Sequence, residues 1–294
     1  MPNSRTTEQI HLEFEKTFIH PDSDLSHTGG FFYKEKNRMK SALITGGSSG
    51  MGLEFARQLA GRGYDLILVS NREEELRAAA ESLRNEFHIS VTTRYQDLAR
   101  ADAADGLFAW CMEEGGGLPE VVVNDAGFFF FKELEASDLD RVQAMVDLHV
   151  VTVSRMCLHF GNAMKQRGSG YILNVSSMAA RIPVPGITVY AATKAYLRSF
   201  GRSLSFELKP YGVTLTTVCP AAIATPLYRL SDKWMKIGVR VGLIRTPRWL
   251  VKRALRAMFR GRRLISPAFM NIWLPALISL FPGSLIAAIW KRLK

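Results

Sequence analysis

Tyr190 and Lys194, in the run Val-Tyr-Ala-Ala-Thr-Lys, stand four residues apart, a spacing that on a helix places a phenol and an ammonium on one face. An ammonium beside a phenol favours the phenolate. A tyrosine whose ordinary pKa is about 10 can then be drawn toward neutral pH and exchange a proton with a substrate oxygen. A solvated helix face can carry the same pair, so the company it keeps matters. Ser177 lies thirteen residues upstream of Tyr190, at the end of an apolar, strand-like run. Further upstream is a glycine-rich turn, Thr45-Gly46-Gly47-Ser48-Ser49-Gly50-Met51-Gly52. Such a turn between a strand and a helix lets backbone approach a pyrophosphate, whose charge is stabilised by free amides and the positive end of the helix dipole. Gly46, Gly50 and Gly52 are the candidates for that task.

The elements that must position these groups alternate. Strands are predicted over 41–45, 65–70, 89–95, 121–124, 171–175 and 213–218, and helices over 53–62, 73–87, 135–167 and 189–209. Alternation of this kind implies a doubly wound parallel sheet, an α/β Rossmann fold covered by helices on both faces. No internal repeat or low-complexity segment interrupts it.

A chain of 294 residues, 47% of them hydrophobic, can bury one large core, so one catalytic domain with terminal additions is expected. Cys111, Cys157 and Cys219 are odd in number, widely spaced and set among apolar residues, which argues for buried thiols in a reducing, cytoplasmic compartment and against a disulfide framework or a metal site. From Arg229 onward there are 15 Lys/Arg against one acid, net +14, whereas the preceding residues hold 23 against 26, net −3. Attraction to an anionic surface therefore belongs to a hydrophobic, basic C-terminal extension; no nucleic-acid partner is expected.

Residues 1–38 contain no apolar stretch of signal-peptide type, and their mixed polar content predicts a poorly ordered arm. Met39-Lys40 directly precedes the first strand, so either translation begins at Met39 or the arm is a real extension covering a neighbouring surface. At the other end, Thr246-Pro247 suits a helix start. Arg248, Lys252, Arg256 and Arg260 then form a four-spaced basic stripe opposite Leu250, Val251, Ala254, Leu255, Met258 and Phe259. That helix either packs on the core or lies on a membrane surface. The charge-free run 264–290 is long enough to span a bilayer, but Pro267, Pro275 and Pro282-Gly283 break it. An interfacial or re-entrant anchor is one reading, and burial in a dimer or over a substrate pocket is the other.

From about Lys40 to Leu227 the chain resembles the short-chain dehydrogenase/reductase family of the Tyr-xxx-Lys type. The matching motifs occur in order: Thr-Gly-xxx-Gly-x-Gly at 45–52, Asn-Asp-Ala-Gly at 124–127, Asn-Val-Ser-Ser at 174–177, Tyr-xxx-Lys at 190–194 and Cys-Pro-Ala-xxx-Thr-Pro at 219–226. The resemblance implies a Rossmann-fold NADP-binding catalytic domain over 39–227, followed over 228–294 by a substrate lid, the basic helix and the apolar tail.

It also implies a cofactor site. Thr45, Gly46, Ser48, Ser49, Gly50, Met51 and Gly52 would surround the phosphates, and Asp97 with Leu98 the adenine. Asn124, Ala126 and Gly127 would lie beside the adenosine ribose. Tyr190, Lys194, Pro220, Ile223 and Thr225 would lie around the nicotinamide end, Thr225 anchoring its carboxamide. Asp125 stands where asparagine is usual, and a carboxylate can only accept hydrogen bonds. At the end of the second strand, where an acid would bind the ribose hydroxyls of NAD, the sequence is Ser70-Asn71-Arg72. With no acid and a guanidinium nearby, NADP(H) is preferred over NAD(H), with Asn71 and Arg72 as its contacts. The alternative for Arg72 is a solvated helix-start residue.

By resemblance Tyr190 donates the proton to a ketone and Lys194 supports it by charge. Ser177, selected over Ser176 by spacing, holds the carbonyl oxygen. His149 stands where the family has an asparagine that binds a water linked to the lysine. It should be neutral beside Lys194, as a water-binding catalytic group or as a core histidine. Ala221 replaces a glycine. Leu230, Trp234, Met235, Ile237, Val239, Val241, Leu243 and Ile244 form an apolar lid, and Phe128 to Phe131 could add an aromatic wall, so an apolar carbonyl or alcohol (lipid, steroid or 3-oxoacyl) fits. The resemblance implies a homodimer or homotetramer, whereas peripheral attachment to a membrane is one of the two readings of the C-terminal segment alone. The departures at Asp125, His149 and Ala221 keep a second function open, an NADP-binding sensor or interaction protein with little turnover.

Overall fold

The computed structural model describes residues 40–182, 185–224, 244–267 and 291. The expectations for the N-terminal arm, for a start at Met39, for Thr225, for the lid over 228–243 and for the tail over 268–290 lie outside the described residues.

The six expected strands are present as β1 (Ser41–Thr45), β2 (Asp65–Ser70), β3 (Val91–Tyr95), β4 (Val121–Asn124), β5 (Gly170–Val175) and β6 (Val213–Val218), and a short β7 (Leu264–Ile265) follows. Among the described residues these strands form one parallel sheet in the order β3-β2-β1-β4-β5-β6-β7. The order reverses between β1 and β4. Outside the carboxyl ends of strands at such a reversal, helices diverge to opposite faces and leave a crevice.

The helices are α1 (Gly50–Ala60), α2 (Glu73–Phe87), α3 (Ala103–Glu113), α4 (Leu139–Val146), α5 (Val153–Arg167), α6 (Thr188–Leu208) and α7 (Pro247–Phe259). Alternate strand residues feed two cores, as a pleated sheet covered on both faces requires. Ala42 and Ile44 of β1 join Phe55, Leu59, Leu76 and Leu255 from α1, α2 and α7 on one face. Leu43 joins Leu107, Met156, Phe160 and Leu204 from α3, α5 and α6 on the other.

Three elements differ from the sequence expectation. Helix α3 gave no periodic signal, because its residues Ala-Ala-Asp-Gly-Leu-Phe-Ala-Trp-Cys-Met-Glu have no broad polar face and include a glycine. The helix expected over 135–167 begins with a short 3₁₀ turn, Ala136–Asp138, and its middle is a π-helical segment, Asp147–Thr152, lying between α4 and α5. At the C-terminal side, α7 buries Leu250, Val251, Ala254, Leu255 and Met258 in the core shared with α1, and β7 pairs with β6. Thr246 caps α7 as expected, its hydroxyl accepting the Trp249 N–H at 3.3 Å. The apolar face of this helix is therefore not free to enter a membrane, and the start of the 264–290 run is sheet rather than anchor. No helix among the described residues is long and apolar enough to cross a membrane.

Candidate active site

The turn after β1 is shaped by the glycines expected of it. Gly46 and Gly50 have φ of 71° and 55°, left-handed values that a side chain would strain. A Cβ on Gly52 would meet the Gly46 carbonyl oxygen at 2.1 Å, so only glycine lets α1 start this close to the turn. Ser49 precedes α1 in extended conformation, and its side chain makes no capping hydrogen bond, so it does not occupy the helix's first amides.

Beside this turn the backbone leaves β4 through Asn124 and Asp125. Thr45 Oγ1 accepts the N–H groups of Asp125 and Ala126 at 3.1 and 3.2 Å and donates to the Val123 carbonyl at 3.3 Å, fastening the two crossing-point turns together. Asn124 is buried, its amide donating to Asn174 Oδ1 at 2.8 Å. Thr45 and Asn124, expected as cofactor contacts, thus spend their side chains on the scaffold, and neither lines a cavity.

Two adjoining cavities meet at the switch point. The larger, about 440 Å³, is lined by Gly46, Ser48, Ser49, Gly50 and Met51 from the first turn and by Ser70, Asn71 and Arg72 after β2. Gln96, Asp97 and Leu98 close it beyond β3, and Asp125 to Phe129 with Leu148 complete the wall. The smaller, about 40 Å³, is lined by Ser176, Ser177, Tyr190, Lys194, Pro220, Ala221 and Ile223. Met51, Asp125, Gly127 and Phe128 border both. All the expected site residues on described positions lie at these cavities except Thr45, Gly52, Asn124 and His149.

No carboxylate stands at the end of β2. The Ser70 hydroxyl pairs with that of Ser48 at 2.9 Å and accepts the Arg72 N–H at 3.2 Å. The Arg72 guanidinium is exposed and hydrogen-bonds Glu75 at 3.0 and 3.3 Å. An exposed pair of this kind is readily exchanged for a stronger anion. Asp97 accepts the Ala99 N–H at 3.0 Å, which fixes the turn that closes the cavity beyond β3.

Around the smaller cavity, Ser177 is set by the end of β5 and accepts the Ala179 N–H at 3.1 Å. Ser176 donates to the Lys194 carbonyl at 2.7 Å and so serves α6 instead. Lys194 Nζ donates to the Val175 carbonyl at 2.9 Å and lies 5.6 Å from the centre of the Tyr190 ring. Burial pulls the Lys194 ammonium down to about 8, a fall that the negative charge of Asp125 opposes. Burial likewise pushes the Asp125 carboxyl up to about 7 against the pull of Lys194 and a hydrogen bond from the Gly52 backbone. Phe129 packs 5.4 Å from the Tyr190 ring, and with Phe128 it forms the part of the expected aromatic wall that faces the cavities. Phe131 is 61% exposed and is not part of it.

His149 is fully buried at the π-helical segment, whose wider turn displaces side chains from the regular helical rows. Its Nε2 accepts the Phe128 N–H at 3.3 Å, and its Nδ1 bonds Thr193 Oγ1 at 3.0 Å. Thr193 Oγ1 donates in turn to the Tyr190 carbonyl at 2.9 Å. An accepting Nε2 requires a neutral ring with its proton on Nδ1. Burial, with help from the Lys194 charge, holds His149 well below its ordinary value, in keeping with that form. The water-binding task expected for this residue meets an obstacle: both ring nitrogens are taken by protein. Thr193 was missed in the sequence, although it sits inside the Tyr-xxx-Lys run, because nothing in the run itself says which residue faces position 149.

The short chain dehydrogenase profile matches residues 40–236. The chain belongs to that family. Among curated relatives, the very-long-chain 3-oxoacyl-CoA reductase of Rattus norvegicus is 31% identical over 195 residues, covering 64% of this chain and 61% of that protein. The 17-beta-hydroxysteroid dehydrogenase type 3 of Danio rerio is 34% identical over 194 residues, 64% of this chain and 62% of that protein. The match thus spans about three fifths of the length of these relatives. Among solved structures, a short-chain dehydrogenase from Sphingobium yanoikuyae in complex with NADPH is 26% identical and superposes with a TM-score of 0.70, covering 83% of this chain and 97% of that one.

Proposed function

We propose that this protein is an NADP(H)-dependent oxidoreductase that moves hydride between the nicotinamide and a ketone or secondary alcohol on an apolar substrate, of the lipid, steroid or 3-oxoacyl kind. The observation that carries this reading is the convergence of Ser177, Tyr190 and Lys194 on one small cavity that shares its border with the larger one.

The larger cavity fits the dinucleotide on its own terms. Gly46, Gly50 and Gly52 leave room for backbone to approach a pyrophosphate, and the uncapped start of α1 presents amides to it. The 2′-phosphate of NADP would meet Asn71 and Arg72 and no carboxylate from β2. NAD(H) would forgo that contact and remains the weaker partner. Very-long-chain 3-oxoacyl-CoA and 17-beta-hydroxysteroid, in the relatives' names, support a bulky apolar substrate, and the NADPH bound to the structural neighbour supports NADP(H) as the cofactor.

When bound, the nicotinamide supplies or accepts the hydride. The Ser177 hydroxyl would donate to the carbonyl oxygen and stabilise the charge that grows there. Tyr190 would give that oxygen its proton, and the Lys194 ammonium would lower the cost of the resulting phenolate. His149 and Thr193 would hold the backbone on either side of this centre and touch neither substrate nor cofactor.

Oxidation of NADPH followed with a panel of lipid, steroid and small ketones tests the reading. Turnover of a bulky apolar ketone with NADPH favoured over NADH is expected. Tight NADPH binding with no carbonyl or alcohol turned over would instead support the sensor or interaction role that Asp125 and His149 keep open.

A further inference from the structure

Asp125 occupies a position that the reaction above does not explain. It shares the lining of the smaller cavity with Lys194, whose ammonium acts on its carboxylate electrostatically, and the Gly52 N–H at the start of α1 bonds that carboxylate. Its Oδ1 is buried and has no hydrogen-bond partner among the described residues. It borders both cavities. A buried carboxylate oxygen without a donor is costly, and a nearby cation is what offsets that cost.

The charges facing this spot come from every element around it. Helix α6 contributes Lys194 and Tyr190, the π-helical segment contributes His149, and the loop after β6 contributes Cys219. The carboxyl end of β5 contributes the neutral Ser176 and Ser177, and α1 contributes backbone amides and Met51. His149 is neutral by its hydrogen bonds. Cys219 is buried, and its thiol is pushed upward, so it is uncharged near neutral pH. Asp125 and Lys194 are thus the two members of this group able to carry opposite charges together.

We propose that Asp125 is the counter-ion of Lys194 and, through it, a positioning residue of the acid–base centre that keeps Tyr190 protonated at neutral pH and the site poised for ketone reduction. The reasoning follows Coulomb's law. An ammonium alone would stabilise a phenolate beside it, whereas an ammonium whose field is partly cancelled by a carboxylate does so less. Reduction needs the phenol as proton donor, and oxidation needs the phenolate as acceptor. The carboxylate therefore favours the donor form. It also holds Lys194 charged to higher pH than burial alone would allow. This inference rests on the oxidoreductase reading for its consequence, but not for its electrostatics.

Two measurements on Asp125→Asn separate those parts. In ¹⁵N-lysine-labelled protein without substrate, with the Lys194 signal assigned through Lys194→Met, the Nζ titration should fall by roughly one pH unit or more relative to wild type, a tenfold change in proton affinity. In the alcohol-oxidation direction, removal of a negative charge lowers every nearby proton affinity, so the acid and alkaline limbs of the pH–rate profile should both move to lower pH. A lost hydrogen bond without the charge effect would lower the rate and leave the limbs in place. An unmoved or upward-moving Lys194 titration overturns the counter-ion. A lower Lys194 titration with unmoved limbs overturns its link to the acid–base centre. If wild type turns over no substrate while the titration shifts, the oxidoreductase reading fails and the charge coupling of Asp125 to Lys194 stands. Asp125→Ser, which keeps an acceptor for the Gly52 N–H, carries the same two measurements should the asparagine variant fold poorly.

Discussion

The Phe128 N–H donates to His149 Nε2 at 3.3 Å, a bond that ties the turn bordering the larger cavity to the helix pair behind the smaller one. Through Nδ1, Thr193 and the Tyr190 carbonyl the tie continues to the first turn of α6. A Cβ on Gly127 would stand 2.8 Å from the same Nε2, so glycine there is what lets the ring come close enough to accept. The histidine is thereby a clamp between the turn and the catalytic helix.

This clamp has a pH signature. The folded state holds His149 well below its ordinary value of 6.5, chiefly by burial. Below about pH 6.5 the unfolded chain binds a proton that the folded chain refuses, so the clamp's stability is present above that pH and is lost as pH falls, by at most about 1.4 kcal/mol per pH unit. Thermal midpoints measured from pH 7.5 to 5 should fall more steeply for wild type than for His149→Asn. Parallel curves would mean that His149 is protonated in the fold.

Tyr190→Phe removes one hydroxyl and keeps the ring that packs against Phe129. Turnover should fall by at least about a hundredfold, about 2.7 kcal/mol of barrier, while NADPH affinity changes less than about threefold. A loss below about tenfold would show that another group supplies the proton.

Arg72 is held by Glu75, and this gives the cofactor preference an adjustable part. Arg72→Ala should weaken NADPH by about tenfold and leave NADH nearly unchanged, as loss of one charge-assisted phosphate contact implies. Glu75→Gln should free the guanidinium and tighten NADPH a few-fold. Equal weakening of both cofactors by the alanine variant would remove Arg72 from the phosphate site.

Much of this was legible in the sequence because the chemistry sits where elements end. A strand that runs into glycines, and a helix that begins with tyrosine and lysine four apart, fix their own boundaries; β1, β2, β4, β6 and α2 have the predicted bounds. Partners set by tertiary contact were not legible. That Thr193 would meet His149 depends on the wider π-helical turn, which one apolar helical pattern over 135–167 does not encode. That Asn124 would turn to Asn174 depends on the register of β4 against β5. Helix α7 was read correctly as amphipathic, but periodicity cannot say whether an apolar face meets a core or a bilayer; packing on α1 decided for the core.

That packing reshapes the membrane question into a test of charge. With the apolar side of α7 buried, Arg248, Lys252, Arg253 and Arg256 remain exposed along it, and Arg260 and Arg262 continue the patch. Each basic side chain near an anionic bilayer contributes about 1 kcal/mol, an attraction that salt screens within a Debye length. Full-length protein should therefore sediment with vesicles in proportion to their anionic lipid, and 0.5 M salt, an ionic strength of roughly five times that giving a 10 Å Debye length, should release it. Replacing Lys252, Arg256 and Arg260 by Gln leaves the buried face intact and should weaken binding by about a hundredfold, as about 3 kcal/mol requires. If the triple variant binds as well as wild type, α7 is not the contact. If wild type stays in the supernatant with anionic vesicles at low salt, peripheral attachment is wrong and the basic face serves solubility alone.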